Sequence, residues 1–306
     1  MAIGKFLDPK NDLAFKRIFG KEKNQDILIH FLNDVLVDHV NPPILSRPIV
    51  SVTFLSLDQT PEIAALRASS VDVLCKDDQG RQVIIEMQVE DEPGFEKRAQ
   101  HYAAKTYIEQ RDKGIEYKDL KEVIFLAILK RHLVVMEEDQ DFLSHHTMRN
   151  VKNNKRQLKD FSFVFMELSK FKKNKTQLVT ILDKWAYFFK SAPQTTEEDL
   201  LSIIGSDLVI KRAYEELDRY SWSLNDLRYY DGIDRKQCAD RAISEGKFQE
   251  GLEKGRQEER ELAAKKLKEE RELAVKKLEE ERELAAKKLE KVYQELEMMR
   301  QEIRKK

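Results

Sequence analysis

Asp72, Glu86 and Gln88 are polar residues in two largely apolar runs, and their types and spacing suit chemistry done through oxygen ligands. Residues 70–75 (Ser-Val-Asp-Val-Leu-Cys) read as one strand, residues 76–81 as a turn and residues 82–89 as the returning strand. If Asp78-Gln79-Gly80 is a three-residue loop with Gly80 at positive φ, facing residues have numbers summing to 158, which sets Asp72 opposite Glu86. Opposed side chains share a face about 4.5–5.5 Å apart at Cβ, and the two-residue period of a strand puts Gln88 beside Glu86. Carboxylates held that close repel unless a cation lies between them. A hard divalent ion such as Mg²⁺, which takes oxygen ligands and often only one or two carboxylates, is the expected occupant, with Asp72 and Glu86 as its ligands.

The same strands must cover part of that acidic face. Val71, Val73, Val83, Ile85 and Met87 are expected to fill the opposite, apolar face, whereas Leu74 and Ile84 share the face of the acids. Burying unpaired carboxylates is costly, so a covered acidic cluster needs protonation, basic partners or a metal.

Around the hairpin the pattern predicts alternating elements. Asp8-Pro9 reads as a cap and first turn of a helix through residues 12–19 that ends at Gly20. Ile27, Leu28, Phe31, Leu32, Val35 and Leu36 mark a second helix that Pro42-Pro43 stops. Residues 48–57, with Val50, Val52 and Phe54 alternating, read as a strand. A helix is expected over residues 95–113, and the unbroken apolar run 123–129 suits a strand covered on both faces. Phe161, Phe163 and Phe165 alternate into another strand. Residues from Leu178 to Phe189 mark an amphipathic helix, and Thr195 with Glu198 offers a capping box for the next. Together these give an α/β chain with a mixed sheet flanked by helices. The expected boundaries are a core over 1–190, a helical extension over 191–240 and a charged tail over 241–306.

The tail repeats Glu-Glu-Arg-Glu-Leu-Ala-Ala/Val-Lys-Lys-Leu-Lys/Glu from Glu258, Glu269 and Glu280. Its period of eleven residues corresponds to about 3.67 residues per turn and favours a right-handed supercoil. From Arg256 to Lys306 there are 16 Lys/Arg and 14 Asp/Glu, so the tail is nearly neutral and is not a basic arm for nucleic acid. Both a self-associating coiled coil and a lone helix laced by intrahelical ion pairs fit this sequence.

A net charge of −1, from 55 Lys/Arg and 56 Asp/Glu in 306 residues, gives no global attraction to nucleic acid, so any such binding rests on a local patch. Cys75 and Cys238 lie far from each other and from any metal-ligand spacing, which fits a reducing cytoplasm and a Cys75 that packs as a small hydrophobe. His145 and His146 have no partner spacing that would make a zinc site. No apolar run approaches the ~18 residues needed to cross a bilayer. The expectation is a soluble, cytoplasmic protein without a membrane partner.

The arrangement Asp72-x13-Glu86-x-Gln88 resembles the catalytic hairpin of the PD-(D/E)XK nuclease superfamily. Its surroundings are similar to the Rpn family of recombination-promoting nucleases and transposase-like proteins. They include Asp12-Leu13-Ala14-Phe15-Lys16, Val71-Asp72-Val73-Leu74, Ile85-Glu86-Met87-Gln88, Glu167-Leu168-Ser169-Lys170-Phe171 and the Gly-containing charged tail. The resemblance implies a restriction-endonuclease-like fold that cuts DNA with a divalent metal. It implies that Asp72 and Glu86 hold Mg²⁺ and that Gln88 stands where the superfamily has lysine. Val71 replaces the proline of the motif, a change of backbone geometry. Gln88 is the larger departure, because an amide orients water but supplies no positive charge.

Asp12 matches an accessory acid near the metal, or else makes a helix-dipole contact in a first turn. Arg98, Tyr102 and Lys105 project from one helix face, either to contact phosphate and stack on a base or as ordinary surface. The leading expectation is a Mg²⁺-dependent DNA endonuclease linked to recombination or transposition, self-associating through its C-terminal helix. The alternatives are a DNA-binding or assembly module that has lost catalysis, and a scaffold whose tail is the functional end.

Overall fold

The computed structural model describes residues 4–38, 43–55, 71–89, 92–136 and 138–304. Six strands form one sheet in the order β1-β2-β3-β4-β6-β5, with β1 Val52–Phe54, β2 Val73–Asp77, β3 Gln82–Gln88, β4 Val123–Leu129, β5 Leu143–Thr147 and β6 Phe161–Glu167. The first three pair antiparallel, β3-β4 and β4-β6 pair parallel, and β5 closes the far edge antiparallel to β6. Among the described residues the helices are α1 Asp12–Phe19, α2 Gln25–Asn33, α3 Phe95–Asp112, α4 Ile181–Ser191, α5 Glu197–Ile204, α6 Leu208–Glu216 and α7 Leu224–Arg304. This is the mixed sheet with flanking helices and a long C-terminal helix that the pattern predicts.

The period of two along each strand divides the apolar residues between two cores. Ile124, Leu126 and Ile128 of β4 face a large cluster built with α1, α2, α4 and α6, whereas Val123, Phe125, Ala127 and Leu129 face a smaller one built on α3. Every residue of β4 is buried. That two-sided burial is why its sequence is apolar without alternation. Val73, Cys75, Val83, Ile85 and Met87 enter the large cluster, and Leu74 and Ile84 enter the smaller one. Val71, expected with the first group, packs against the second.

Several local expectations shift. The cap of α1 is Asn11, whose side chain accepts from the Leu13 amide; Asp8 instead closes a turn by accepting from the Lys10 amide. β1 begins at Val52, and Val50 is 73% exposed. The capping box lies at Thr180 and Asp183, so Leu178 and Val179 precede α4. Thr196 caps α5, while Thr195 turns inward and bonds the Ser191 carbonyl. β5 was not anticipated. Pro42, Leu57 and Ser70 lie outside the described residues.

The family-like stretch from Glu167 to Phe171 anchors a loop. Buried Glu167 accepts from the Leu133 amide at 2.7 Å and pairs with Lys170 at 2.6 Å, and the lysine also bonds the Met136 carbonyl. The chain comprises two units, Met1–Gln237 and Cys238–Lys306. α7 starts at Leu224, well before the composition change near Arg241, because nothing in the intervening residues stops a helix. Throughout the second unit the described side chains of α7 are exposed, its repeat leucines among them. Among the described residues no helix is long and apolar enough to cross a membrane.

Candidate active site

The hairpin between β2 and β3 has the register that Gly80 allows. Gly80 adopts φ +84°, its amide bonds the Asp77 carbonyl, and the Asp77 amide bonds the Arg81 carbonyl. The turn is held from within by Asp77, whose carboxylate accepts from the amides of Gln79 and Arg81 and pairs with the Arg81 guanidinium at 2.6 Å. Val73 pairs with Ile85 and Leu74 with Ile84. One step beyond, Asp72 meets Glu86: the Asp72 amide donates to Glu86 Oε2 at 3.2 Å, and Asp72 Oδ2 accepts from the Met87 amide at 2.7 Å. The two acids are thus tied into each other's strand, on the face where Leu74 and Ile84 meet α3.

α3 brings a cation to that face. Arg98 Nη2 donates to Gln88 Oε1 at 2.7 Å and lies 3.3 Å from Glu86 Oε1, and its other nitrogen pairs with Glu92. The guanidinium rests over Phe95 and Tyr102, 4.8 and 5.8 Å from the ring centres. Stacking of this kind fixes a planar cation. Arg98, weighed from sequence between a phosphate contact and ordinary surface, sits against Glu86 and Gln88. Tyr102, read as a base-stacking residue, is 6% exposed and packed among the apolar residues under α3, so its ring offers no open face. Lys105 is half-buried and lies seven residues on, about 10 Å of helix rise from Arg98.

A second cation arrives from the other core. Ala14, Phe15, Ile18 and Phe19 bury one side of α1, and Asp12 and Lys16 share its outer side at helical spacing. Lys16 Nζ is 2.7 Å from Asp12 Oδ1 and 3.7 Å from Asp72 Oδ1. Asp12, weighed between an accessory acid and a dipole contact, thus shares Lys16 with Asp72, and its charge helps to push the Asp72 carboxyl up. Lys16 went unrecognised in the sequence. The available signal was its position four residues after Asp12.

Burial dominates the electrostatics. It pushes the Asp72 carboxyl above the usual aspartate range, aided by Asp12 and opposed by the Met87 amide and Lys16. Burial also raises Glu86, and the facing Asp72 adds to this against Arg98 and Lys16. For Lys16, burial acts downward, but the hydrogen bond and charge of Asp12, with the charges of Asp72 and Glu86, hold the ammonium above the ordinary lysine value. Among the described residues Asp12, Asp72 and Glu86 are met by two cations, Lys16 and Arg98. Among the described residues no three Asp, Glu, His or Cys are grouped to hold a metal ion. The donor set that fits one is the pair Asp72 and Glu86, hard oxygen ligands in a number that suits an ion completing its shell with water and phosphate.

The sequence pattern of PD-(D/E)XK nuclease family transposases matches residues 9–244, which include every residue of this cluster. The chain belongs to that family. Membership bears out the resemblance and the restriction-endonuclease-like reading of the sheet, and it assigns a nuclease- or transposase-related role. Nucleases of this type generally use divalent metal ions. No curated protein and no solved structure matches the chain.

Proposed function

We propose that this family member is a Mg²⁺-dependent DNA endonuclease acting in the cytoplasm, its breaks feeding recombination or transposition. Residues 1–190 would form the catalytic core, 191–240 a helical extension, and 241–306 an element through which copies of the chain associate. The observation that supports the reading is the tie between Asp72 and Glu86, which holds two desolvated carboxylates side by side. A divalent cation held by these two acids would lower the pKa of a bound water and stabilise charge on the scissile phosphate.

The chain's own residues do the rest. The Met87 amide, within β3, and the Asp72 amide, one residue before β2, orient the two carboxylates, so the ligands are set before any substrate arrives. Arg98 donates to the Gln88 carbonyl oxygen and so fixes the amide beside Glu86. Leu74, Ile84 and the apolar residues of α3 exclude water beneath the acids.

Asp72→Ala and Glu86→Ala are expected to abolish Mg²⁺-dependent nicking of supercoiled plasmid while the circular dichroism spectrum stays that of the parent chain. Unchanged nicking by either purified variant would overturn the assignment. The second reading, a DNA-binding or assembly module without hydrolysis, is favoured by the amide at Gln88 and by the cations already seated on the acids. It predicts DNA binding with no turnover under any divalent ion.

A further inference from the structure

Phosphodiester hydrolysis adds a water oxygen to phosphorus and breaks the bond to one sugar oxygen, which departs with its electron pair and takes up a proton from solvent as the water gives one up. Negative charge builds on the phosphate oxygens in between, and a fixed cation there is among the largest contributions an active site makes. Gln88 carries no charge. Among the described residues, the cations on the cluster are Arg98 and Lys16.

Arg98 is committed through both of its terminal nitrogens. Its guanidinium serves Glu86, Gln88 and Glu92 and is stacked on two rings. Turning it toward a phosphate would break all of these contacts and strip buried Glu86 of its partner. Lys16 differs in each respect. Among the described residues its ammonium pairs with the carboxylates of Asp12 and Asp72, and its side chain is 39% exposed. A compact ammonium on a four-carbon stem turns at little cost. The helix that carries it does not move with it, because Phe15 and Phe19 are fully buried and the Asn11 cap donates to the Tyr230 carbonyl.

We propose that Lys16 is a catalytic residue, the cation that meets the reacting phosphate from α1 in place of the charge that β3 lacks at Gln88. The inference rests on the hydrolytic reading given above. Lys16 acts electrostatically: it neutralises charge on a non-bridging phosphate oxygen and keeps its own proton throughout. Asp12 is its positioning residue, holding the ammonium beside Asp72 until substrate arrives.

The test uses the full-length chain with Lys16→Met, Lys16→Gln, Lys16→Arg and the relocated pair Lys16→Gln/Gln88→Lys. Plasmid nicking with Mg²⁺, binding of a fluorescent duplex in Ca²⁺ and affinity for Mn²⁺ alone are measured for each. Lys16→Met is expected to slow nicking about 100-fold while duplex binding persists and Mn²⁺ binds as well or more tightly, since a competing positive charge has gone. Lys16→Arg and the relocated pair are expected to regain part of the lost rate over Lys16→Gln. A parent chain that nicks under no divalent ion removes the hydrolytic reading and this proposal together. A parent chain that nicks, with Lys16→Met equally fast, overturns the Lys16 assignment alone. Loss of Mn²⁺ affinity in Lys16→Met, with no rescue by the relocated pair, also overturns it, because Lys16 would then be supporting the metal ligands.

Discussion

Replacing Arg98 by Met isolates the charge that α3 brings to the acidic face. The methionine stem keeps much of the contact with Phe95 and Tyr102, so what is lost is the guanidinium 3.3 Å from Glu86 Oε1. At an effective dielectric of 20, that pair attracts by about 5 kcal/mol. The side chains are 25% and 9% exposed, and part of the gross attraction has already been spent on desolvation, which leaves about 2–3 kcal/mol as the expected net loss. For a folded unit of this size, that lowers the melting temperature by about 5–10 °C. The sign with pH follows from Glu86. Burial raises its carboxyl in the folded state, so Glu86 favours folding as pH falls toward the ordinary glutamate range and disfavours it as pH rises through its shifted value. Removing Arg98 enlarges the rise. The deficit of Arg98→Met is therefore greatest in mildly alkaline buffer and shrinks on acidification, as Glu86 becomes neutral in both proteins. Thermal unfolding of the parent, Arg98→Met, Glu86→Gln and the double variant, at about pH 8.5 and pH 5, gives the coupling directly. A coupling below about 0.5 kcal/mol at the higher pH, or a deficit that does not change with pH, refutes the view that Arg98 compensates a desolvated Glu86.

Two further outcomes are expected. Asp34 is 4% exposed, and burial first, then the charges of Asp38, Asp207 and Asp183, push its carboxyl from 3.8 to about 7. A raised carboxyl costs stability as pH climbs through that window, so Asp34→Asn should stabilise the fold by up to about 4 kcal/mol at pH 8 and by almost nothing below pH 4; equal urea midpoint shifts at the two pH values would contradict this. In the tail, Leu267, Leu278 and Leu289 form one register and are 51–59% exposed. Changing all three to Lys is expected to lower the mass at sedimentation equilibrium to that of a monomer while helical content persists through intrahelical pairs. A parent chain that is already monomeric removes the tail as an assembly element.

How much of this was legible from sequence depended on chain separation and on how many sides of an element are covered. The β2–β3 register could be read because one glycine and a three-residue loop set it, and β4 could be read because burial on both faces leaves only apolar residues. β5 could not. It pairs only with β6 at the sheet edge, its five residues are all half-buried, and Leu-Ser-His-His-Thr carries no alternation. Cap positions slipped where capping types stood close together: Asp8 and Asn11 are both competent, as are Thr195 and Thr196, and the surrounding packing chooses between them.

The candidate site divides along the same line. Asp72, Glu86 and Gln88 belong to one hairpin, and local pairing rules bring them together. Asp12 and Lys16 lie more than fifty residues upstream, and they reach Asp72 only because Phe15 and Phe19 bury the opposite side of α1 in the large core. Arg98 arrives through the small core under α3. The acids therefore sit at the end of the sheet where two separately packed layers meet, and each layer supplies one cation. The stacked one cannot leave without exposing a buried carboxylate, whereas the half-exposed one turns on a flexible stem. That difference gives Arg98 the part of holding the cluster together and leaves Lys16 to answer a change of charge above it.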